Sequence, residues 1–189
     1  QMTQGKWPRA ALSDGGEVGG KRLGVIGYGA IGQTSARLAR GLGMTVIAFD
    51  AMLPPDAPIF ARTGVQAADL DTLLKTADVI TLHVPLVAST RGLIGADQLA
   101  RMRRGALLIN TSRGHIVDLT AVANALRSGH LGGAAIDVFD VEPLTETQAL
   151  DDCPNLLLTP HISGLTKESN ERVSFMIADQ VLAALAESL

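Results

Sequence analysis

Leu23-Gly24-Val25-Ile26-Gly27-Tyr28-Gly29-Ala30-Ile31-Gly32 sets a short apolar run directly against a glycine-spaced turn. A helical pattern follows, running to Leu42 with apolar residues at Ile31, Ala36, Leu38, Ala39 and Leu42. Residues 44–49, Met-Thr-Val-Ile-Ala-Phe, are then a continuous apolar run of strand length, as expected for a parallel strand buried on both faces. Strand, turn, helix and strand make one βαβ unit, and the glycine spacing at its turn has a physical use. The first glycine permits the tight turn, the second lets backbone approach a pyrophosphate, and the third lets the helix pack on the strand. The helix N-terminus is left to receive negative charge.

The alternation continues outward from this unit. The pattern predicts a short helix over 70–77 and strands over 79–82, 106–109, 133–136 and 156–158, with proline-rich 53–58 as a loop. Asp118 can cap a helix running to about Arg127, where Ser128-Gly129 stops it. Residues 166–189 read as a closing helix capped by Thr166 with Ser169 and Asn170, amphipathic through Val173, Ile177, Val181 and Leu185. The class is α/β: a doubly wound parallel sheet in three α/β/α layers, forming a single domain. Within it, residues 1–20 are a lead-in with one short possible helix and the connector Ser13-Asp14-Gly15-Gly16. Residues 21–165 are the nucleotide-binding part and 166–189 the final helix.

Composition narrows the function. With 47% hydrophobic residues in 189, the chain can bury one core. A net charge of −3 with interspersed signs offers nothing to nucleic acid or an anionic membrane, and no apolar run approaches the roughly 18 residues of a membrane span. Cys153 is the sole cysteine, so neither an internal disulfide nor a cysteine-cluster metal site is expected. A reducing, cytoplasmic setting fits, with no metal. The chain begins Gln1-Met2-Thr3 and is expected to be a piece of a longer polypeptide.

Asp50, at the end of the second strand, stands about 20 residues beyond the glycine turn, where a carboxylate can accept both ribose hydroxyls. It would repel a 2′-phosphate and no arginine follows closely, so NAD is expected over NADP. Loops after the strands hold Arg113, Asp137, Glu142 and His161. Arg113 offers a planar fork suited to a substrate carboxylate, although a plain surface arginine would look the same. Proton transfer at neutral pH calls for a histidine-type side chain, which His161 supplies, and Glu142 could orient that imidazole. An ordinary loop histidine and a Glu-Pro turn are the plain alternatives. His83, ahead of Pro85, lines the nucleotide pocket or satisfies a backbone group. His115 and His130 read as loop residues, Trp7 and Cys153 as packing residues.

Taken with His83-Val84-Pro85, Asn110-Thr111-Ser112-Arg113-Gly114, Ala135-Ile136-Asp137-Val138-Phe139, Glu142-Pro143 and Pro160-His161, the chain resembles the D-isomer-specific 2-hydroxyacid dehydrogenases, in particular the D-3-phosphoglycerate dehydrogenase branch. The resemblance covers nearly the whole chain. It implies a Rossmann-type NAD-binding domain in which Arg113 holds the substrate, His161 is the acid/base and Glu142 its partner. It also implies a cofactor site made of Gly27, Gly29, Ala30, Ile31, Gly32, Asp50, His83, Val84, Pro85, Thr90, Thr111, Ser112, Asp137, His161, Ser163 and Gly164, with Asp137 near the nicotinamide carboxamide. Ala30 departs from the arginine common in relatives, which removes one cationic contact with the pyrophosphate.

The implied partners are a small 2-hydroxy acid and a second copy of the chain, joined through the cofactor domain. The N-terminal substrate segment of the family is not in this sequence, so the chain by itself is expected to bind NAD(H) but turn over poorly or not at all. Two alternatives stay open: a dinucleotide-sensing module of the corepressor kind, and a dehydrogenase of L-configured or sulfonated hydroxy acids.

Overall fold

In the computed structural model, which describes residues 4, 5, 7, 9, 13, 15–145, 147 and 149–187, the apolar runs pair side by side. The order along the chain is β1 (Arg22–Ile26), α1 (Ala30–Gly41), β2 (Thr45–Phe49), α2 (Pro58–Thr63), β3 (Gln66–Ala67), α3 (Leu70–Thr76) and β4 (Val79–Leu82). Then come α4 (Ala96–Arg101), β5 (Leu107–Asn110), a 3-10 turn (Gly114–Ile116), α5 (Leu119–Arg127), β6 (Gly133–Ile136), β7 (Leu156–Leu158) and α6 (Lys167–Glu187). The sheet order is β3-β2-β1-β4-β5-β6-β7, with every pair parallel. The chain steps outward from β1 to β3, then crosses back to β4. β1 and β4 are therefore neighbours whose following loops diverge, and a crevice opens between them at the carboxyl ends of the strands.

Register explains the continuous apolar runs. Gly24, Ile80, Leu108 and Ala134 lie abreast, and on that face Ile80, Leu108 and Ala134 join Leu73, Leu99, Val122 and Leu126 from α3, α4 and α5 in one core. The opposite face carries Leu23, Val25, Val46 and Ala48, which pack with Ala36 and Ala39 of α1 and Phe60 of α2. Over β5–β7 that second face is less covered: Leu107 is 41% exposed and Leu157 61%.

Several elements differ from the sequence reading. Residues 53–58 are not wholly loop, because Pro58 opens α2 at its first turn, where a missing N–H is harmless. α4 and the two-residue β3 carried no readable period, each being shorter than two turns or a strand repeat. The β5 ladder starts at Leu107, one residue later than expected. Both expected caps are present: the Asp118 carboxylate accepts from Ala121 N at 3.0 Å, while Ser169 N donates to Thr166 Oγ1 at 3.0 Å and Thr166 N to Ser169 Oγ at 2.9 Å. The apolar stripe of α6 is not buried, however, with Val173, Ile177, Val181 and Leu185 each about half exposed. Trp7 is 74% exposed and belongs to neither core cluster, so among the described residues it is not a packing residue. Cys153 packs partly buried against the larger core. Among the described residues no helix is long and apolar enough to cross a membrane.

Asp118→Ala removes an N-cap from α5, and the urea midpoint should fall by an amount equivalent to about 0.5–2 kcal/mol. NADH affinity should be unchanged, because the cap lies off the crevice.

Candidate active site

The turn after β1 is built by backbone meeting backbone. Gly27 has φ +92°, and a Cβ there would lie 2.6 Å from the His83 carbonyl oxygen. At Gly32 a Cβ would stand 2.1 Å from the oxygen of Gly27, so α1 can enter this close only on a glycine. Gly29 is different: no protein atom lies within 4 Å of its added Cβ, which leaves open space beside the turn. It caps α1 without a side-chain bond, and the first turn of α1 holds no acid. Ala30 and Ile31 are exposed there, and the partial positive charge of that helix end faces solvent.

Asp50 follows β2 and is locked to the same turn. Its Oδ2 accepts from Tyr28 N at 2.7 Å and its Oδ1 from Met52 N at 2.9 Å. Each oxygen keeps a second lone pair for a ribose hydroxyl. An open glycine, an uncapped helix start and a fixed carboxylate fit a dinucleotide, which the Gly27–Gly32 turn would hold by its pyrophosphate and Asp50 by a ribose.

The far wall comes from the loops after β4 and β5. His83 N donates to Ile26 O at 2.7 Å, and its Nε2 lies 3.1 Å from Thr81 Oγ1. Burial holds its imidazole pKa below the usual value. Val84 follows, packed partly buried against the larger core, with its Cγ1 only 2.8 Å from where a Cβ on Gly27 would lie. Thr90 Oγ1 donates to Pro85 O at 2.6 Å and accepts from Val87 N at 2.9 Å, so this hydroxyl braces the 85–90 loop. Ser112 Oγ donates to Val84 O and ties the two walls together.

Asn110, fully buried, holds the next turn: its Nδ2 donates to Arg113 O at 3.0 Å and its Oδ1 accepts from Ser112 N at 3.0 Å. The site residues read from sequence had not included it, although an Asn at a strand end before Thr-Ser is a recognisable side-chain turn signal. Thr111 is half-buried between them, and the Arg113 side chain stays exposed, with Nη1 on Ser112 O at 2.6 Å.

Gly114 presses this wall onto the next, since a Cβ would sit 2.0 Å from the Phe139 carbonyl carbon. The loop after β6 thus lies beside the one carrying Arg113. Glu142 Oε1 accepts from Phe139 N at 2.9 Å, and Oε2 stands 2.7 Å from His161 Nδ1. The bond from His161 and then that from Phe139 hold the Glu142 carboxyl below its usual pKa. Glu142 therefore stays ionised through neutral and mildly acid pH, and its bond to His161 is lost only as pH falls beneath the ordinary carboxylate range.

His161 itself has φ +54°, a conformation most side chains avoid. Its backbone is held by Asp137, whose carbonyl accepts from His161 N at 2.8 Å. The Asp137 carboxylate, 3% exposed, accepts from Thr159 Oγ1 at 2.5 Å, Ile162 N at 2.9 Å and Ser163 N at 2.9 Å. Burial by itself would raise the Asp137 pKa, but the bonds from Thr159, Ile162 and Ser163 together outweigh it and hold the carboxyl well below the usual range. Gly164 O accepts from Ser169 Oγ at 3.0 Å, at the start of α6.

Thr159 is the second functional residue that sequence reasoning passed over. A cavity of about 680 Å³ opens beside the pair, lined by Phe139, Glu142, Pro143, Leu144, Leu158, Thr159, Pro160 and His161. Among the described residues no group of three or more His, Cys, Asp or Glu is placed to hold a metal ion.

Residues 1–163 match the model of the family described as D-isomer specific 2-hydroxyacid dehydrogenase, NAD binding domain. Among curated proteins, the chain is 50% identical over 185 residues to the (S)-sulfolactate dehydrogenase of Chromohalobacter salexigens, covering 98% of this chain and 59% of that protein. It is 44% identical to the glycerate dehydrogenase of Methylorubrum extorquens, over 90% of this chain and 52% of that one. To the D-3-phosphoglycerate dehydrogenase of Escherichia coli it is 43% identical, over 95% and 43% respectively. The chain thus spans roughly half the length of these relatives. A solved structure of a putative D-isomer specific 2-hydroxyacid dehydrogenase from Polaromonas superposes with TM-score 0.85 at 32% identity, covering 99% of this chain and 58% of that one.

Two measurements probe the geometry. Fluorescence titration should show NADH bound in preference to NADPH, with Asp50→Ala reducing that preference; equal affinities in the unsubstituted chain would refute the assignment of Asp50. Asp137→Asn should destabilise the chain by about 1.5–3 kcal/mol at neutral pH through the loss of charge-assisted bonds. Because the Asp137 pKa is depressed on folding, its stabilisation is complete above the unfolded value of about 4 and fades as pH falls below it. The acid limb of a stability-versus-pH curve should therefore flatten in Asp137→Asn.

Proposed function

Because the chain belongs to the D-isomer specific 2-hydroxyacid dehydrogenase family, as its NAD-binding domain, we propose that the protein is an NAD-dependent oxidoreductase interconverting a 2-hydroxy acid and its 2-oxo acid. The observation that carries this reading is the 2.7 Å contact between His161 Nδ1 and Glu142 Oε2 at the carboxyl edge of the sheet. With Nδ1 engaged, Nε2 is the nitrogen left to exchange a proton. Asp50 and the Gly27–Gly32 turn would hold the dinucleotide, whose nicotinamide would supply a hydride to the substrate C2 when reduced and accept one when oxidised. His161 gives a proton to the C2 oxygen in reduction and takes it back in oxidation, while Glu142 fixes the ring. Arg113 holds the substrate carboxylate through two parallel hydrogen bonds. Asp137 keeps the His161 loop in place, and Asp50 with the Gly27–Gly32 turn holds the adenosine end of the cofactor. A dinucleotide sensor without turnover would have no use for the His161–Glu142 pair.

The substrate belongs on chemical grounds with those named for the relatives: sulfolactate, glycerate and 3-phosphoglycerate are all three-carbon 2-hydroxy acids with a polar or anionic group on C3. A common handedness is consistent with these names, because sulfur on C3 outranks the carboxyl in the naming rules and turns the D arrangement into the label S. The same reading extends to a homodimer formed through this domain in the cytoplasm. Ile31, Leu38 and Leu42 along α1 are 56–69% exposed and offer an apolar surface.

With NADH and sulfopyruvate, hydroxypyruvate or 3-phosphohydroxypyruvate, NADH absorbance should fall, and His161→Ala should slow it by about a hundred- to ten-thousandfold. NADH affinity should hold. Turnover in His161→Ala equal to that of the unsubstituted protein would overturn the assignment.

A further inference from the structure

On the side of β2 away from β4, a second cavity of about 600 Å³ lies between α1 and α2. Arg37 and Arg40 of α1 and Arg62 of α2 line it together with Gln33, Thr34 and Thr63. No acidic residue lines it, and among the described residues none of the three arginines has a carboxylate within ion-pair distance. Three cations of like sign in one groove repel one another unless an anion joins them.

The groove is also built rather than merely open. Arg40 Nη1 donates to Thr63 O, the end of α2. The next residue, Gly64, has φ +65°, and a Cβ there would come within 3.1 Å of the Arg40 guanidinium. The end of α2 is docked in turn by Tyr28, whose hydroxyl donates to Thr63 Oγ1 at 2.8 Å and whose ring stacks on Phe60 at 5.3 Å. The threonine hydroxyls donate back to their own helices, Thr34 to Ala30 O and Thr63 to Ile59 O, so they are not competing donors. Guanidinium forks are left facing the groove, and their planar N–H pairs match the oxygens of a phosphate.

We infer that the α1–α2 groove is an anion site for a small phosphate-bearing molecule, which meets the dinucleotide turn at Tyr28 and Ala30 but draws its charge from arginines outside that turn. Arg37 and Arg62 supply the charge that closes on the ligand, and Arg40 sets the floor of the site. Neither Arg37 nor Arg62 touches the His161–Glu142 pair or Asp50.

The test is calorimetric titration of the chain with inorganic phosphate, with and without saturating NADH, and of the Arg37→Gln/Arg62→Gln variant. One phosphate should bind per chain whether or not NADH is present, and the double substitution should weaken it about tenfold or more. NADH affinity of the variant should be unchanged, which also reports that it is folded. Phosphate displaced by NADH would place the ion at the N-terminus of α1 and overturn the proposal, as would no binding at all. Loss of NADPH affinity alone in the variant would make these arginines a 2′-phosphate subsite and would overturn it equally.

Discussion

Close approach of one backbone to another at the carboxyl edge of the sheet is the constraint on which the site depends. Gly27 lies against the His83 carbonyl, Gly32 against Gly27, and Gly114 against Phe139. Each contact leaves no room for a Cβ, and each joins the loop after one strand to the next element. Through them the Gly27–Gly32 turn, the His83–Pro85 wall, the Arg113 loop and the Glu142 loop form one continuous rim. The N-terminus of α1 is aimed into that rim with no side-chain cap, so its amides are left for a ligand to satisfy.

The polar centre of the opposite end is Asp137. A buried carboxylate without partners would be costly, yet here three donors converge on it. What they hold is a loop in which His161 adopts a left-handed conformation, a strain of order 1–3 kcal/mol. Bonds to an ionised group, each contributing about 1.5–3 kcal/mol, suffice to sustain it. The imidazole is thereby set before any substrate arrives, with Glu142 fixing its ring from one side and the cavity open on the other. On the proposed reaction, such preorganisation would remove the need to order the acid as the proton moves.

The two faces of the sheet are treated unequally. Under α3, α4 and α5 the core is closed, whereas Leu107 and Leu157 on the other face, the α1 stripe and most of α6 remain in contact with solvent. The site lies at the rim common to both, held mainly by backbone hydrogen bonds and loop contacts rather than by the depth of either core.

Sequence by itself determined the parts of this protein whose signals are local. The glycine spacing and Asp50 marked the nucleotide turn; strands buried on both faces showed as unbroken apolar runs; the Asp118 and Thr166–Ser169 caps followed from side chains placed within one turn of the amides they satisfy. Arg113, Glu142 and His161 were legible as residue types on loops after strands. The tertiary structure alone decided that Glu142 and His161, 19 residues apart, meet at 2.7 Å, that Asp137 is spent on three loop donors, and that Asn110 and Thr90 brace turns. It also decided that α2 and α4 exist, since six residues carry too little period to read, and that Trp7 and the α6 stripe stay exposed. The physical reason is the same in each case: capping, turn chemistry and hydrophobic period act between neighbours in the chain, whereas proximity between loops is set by strand order and by how closely glycines let them approach.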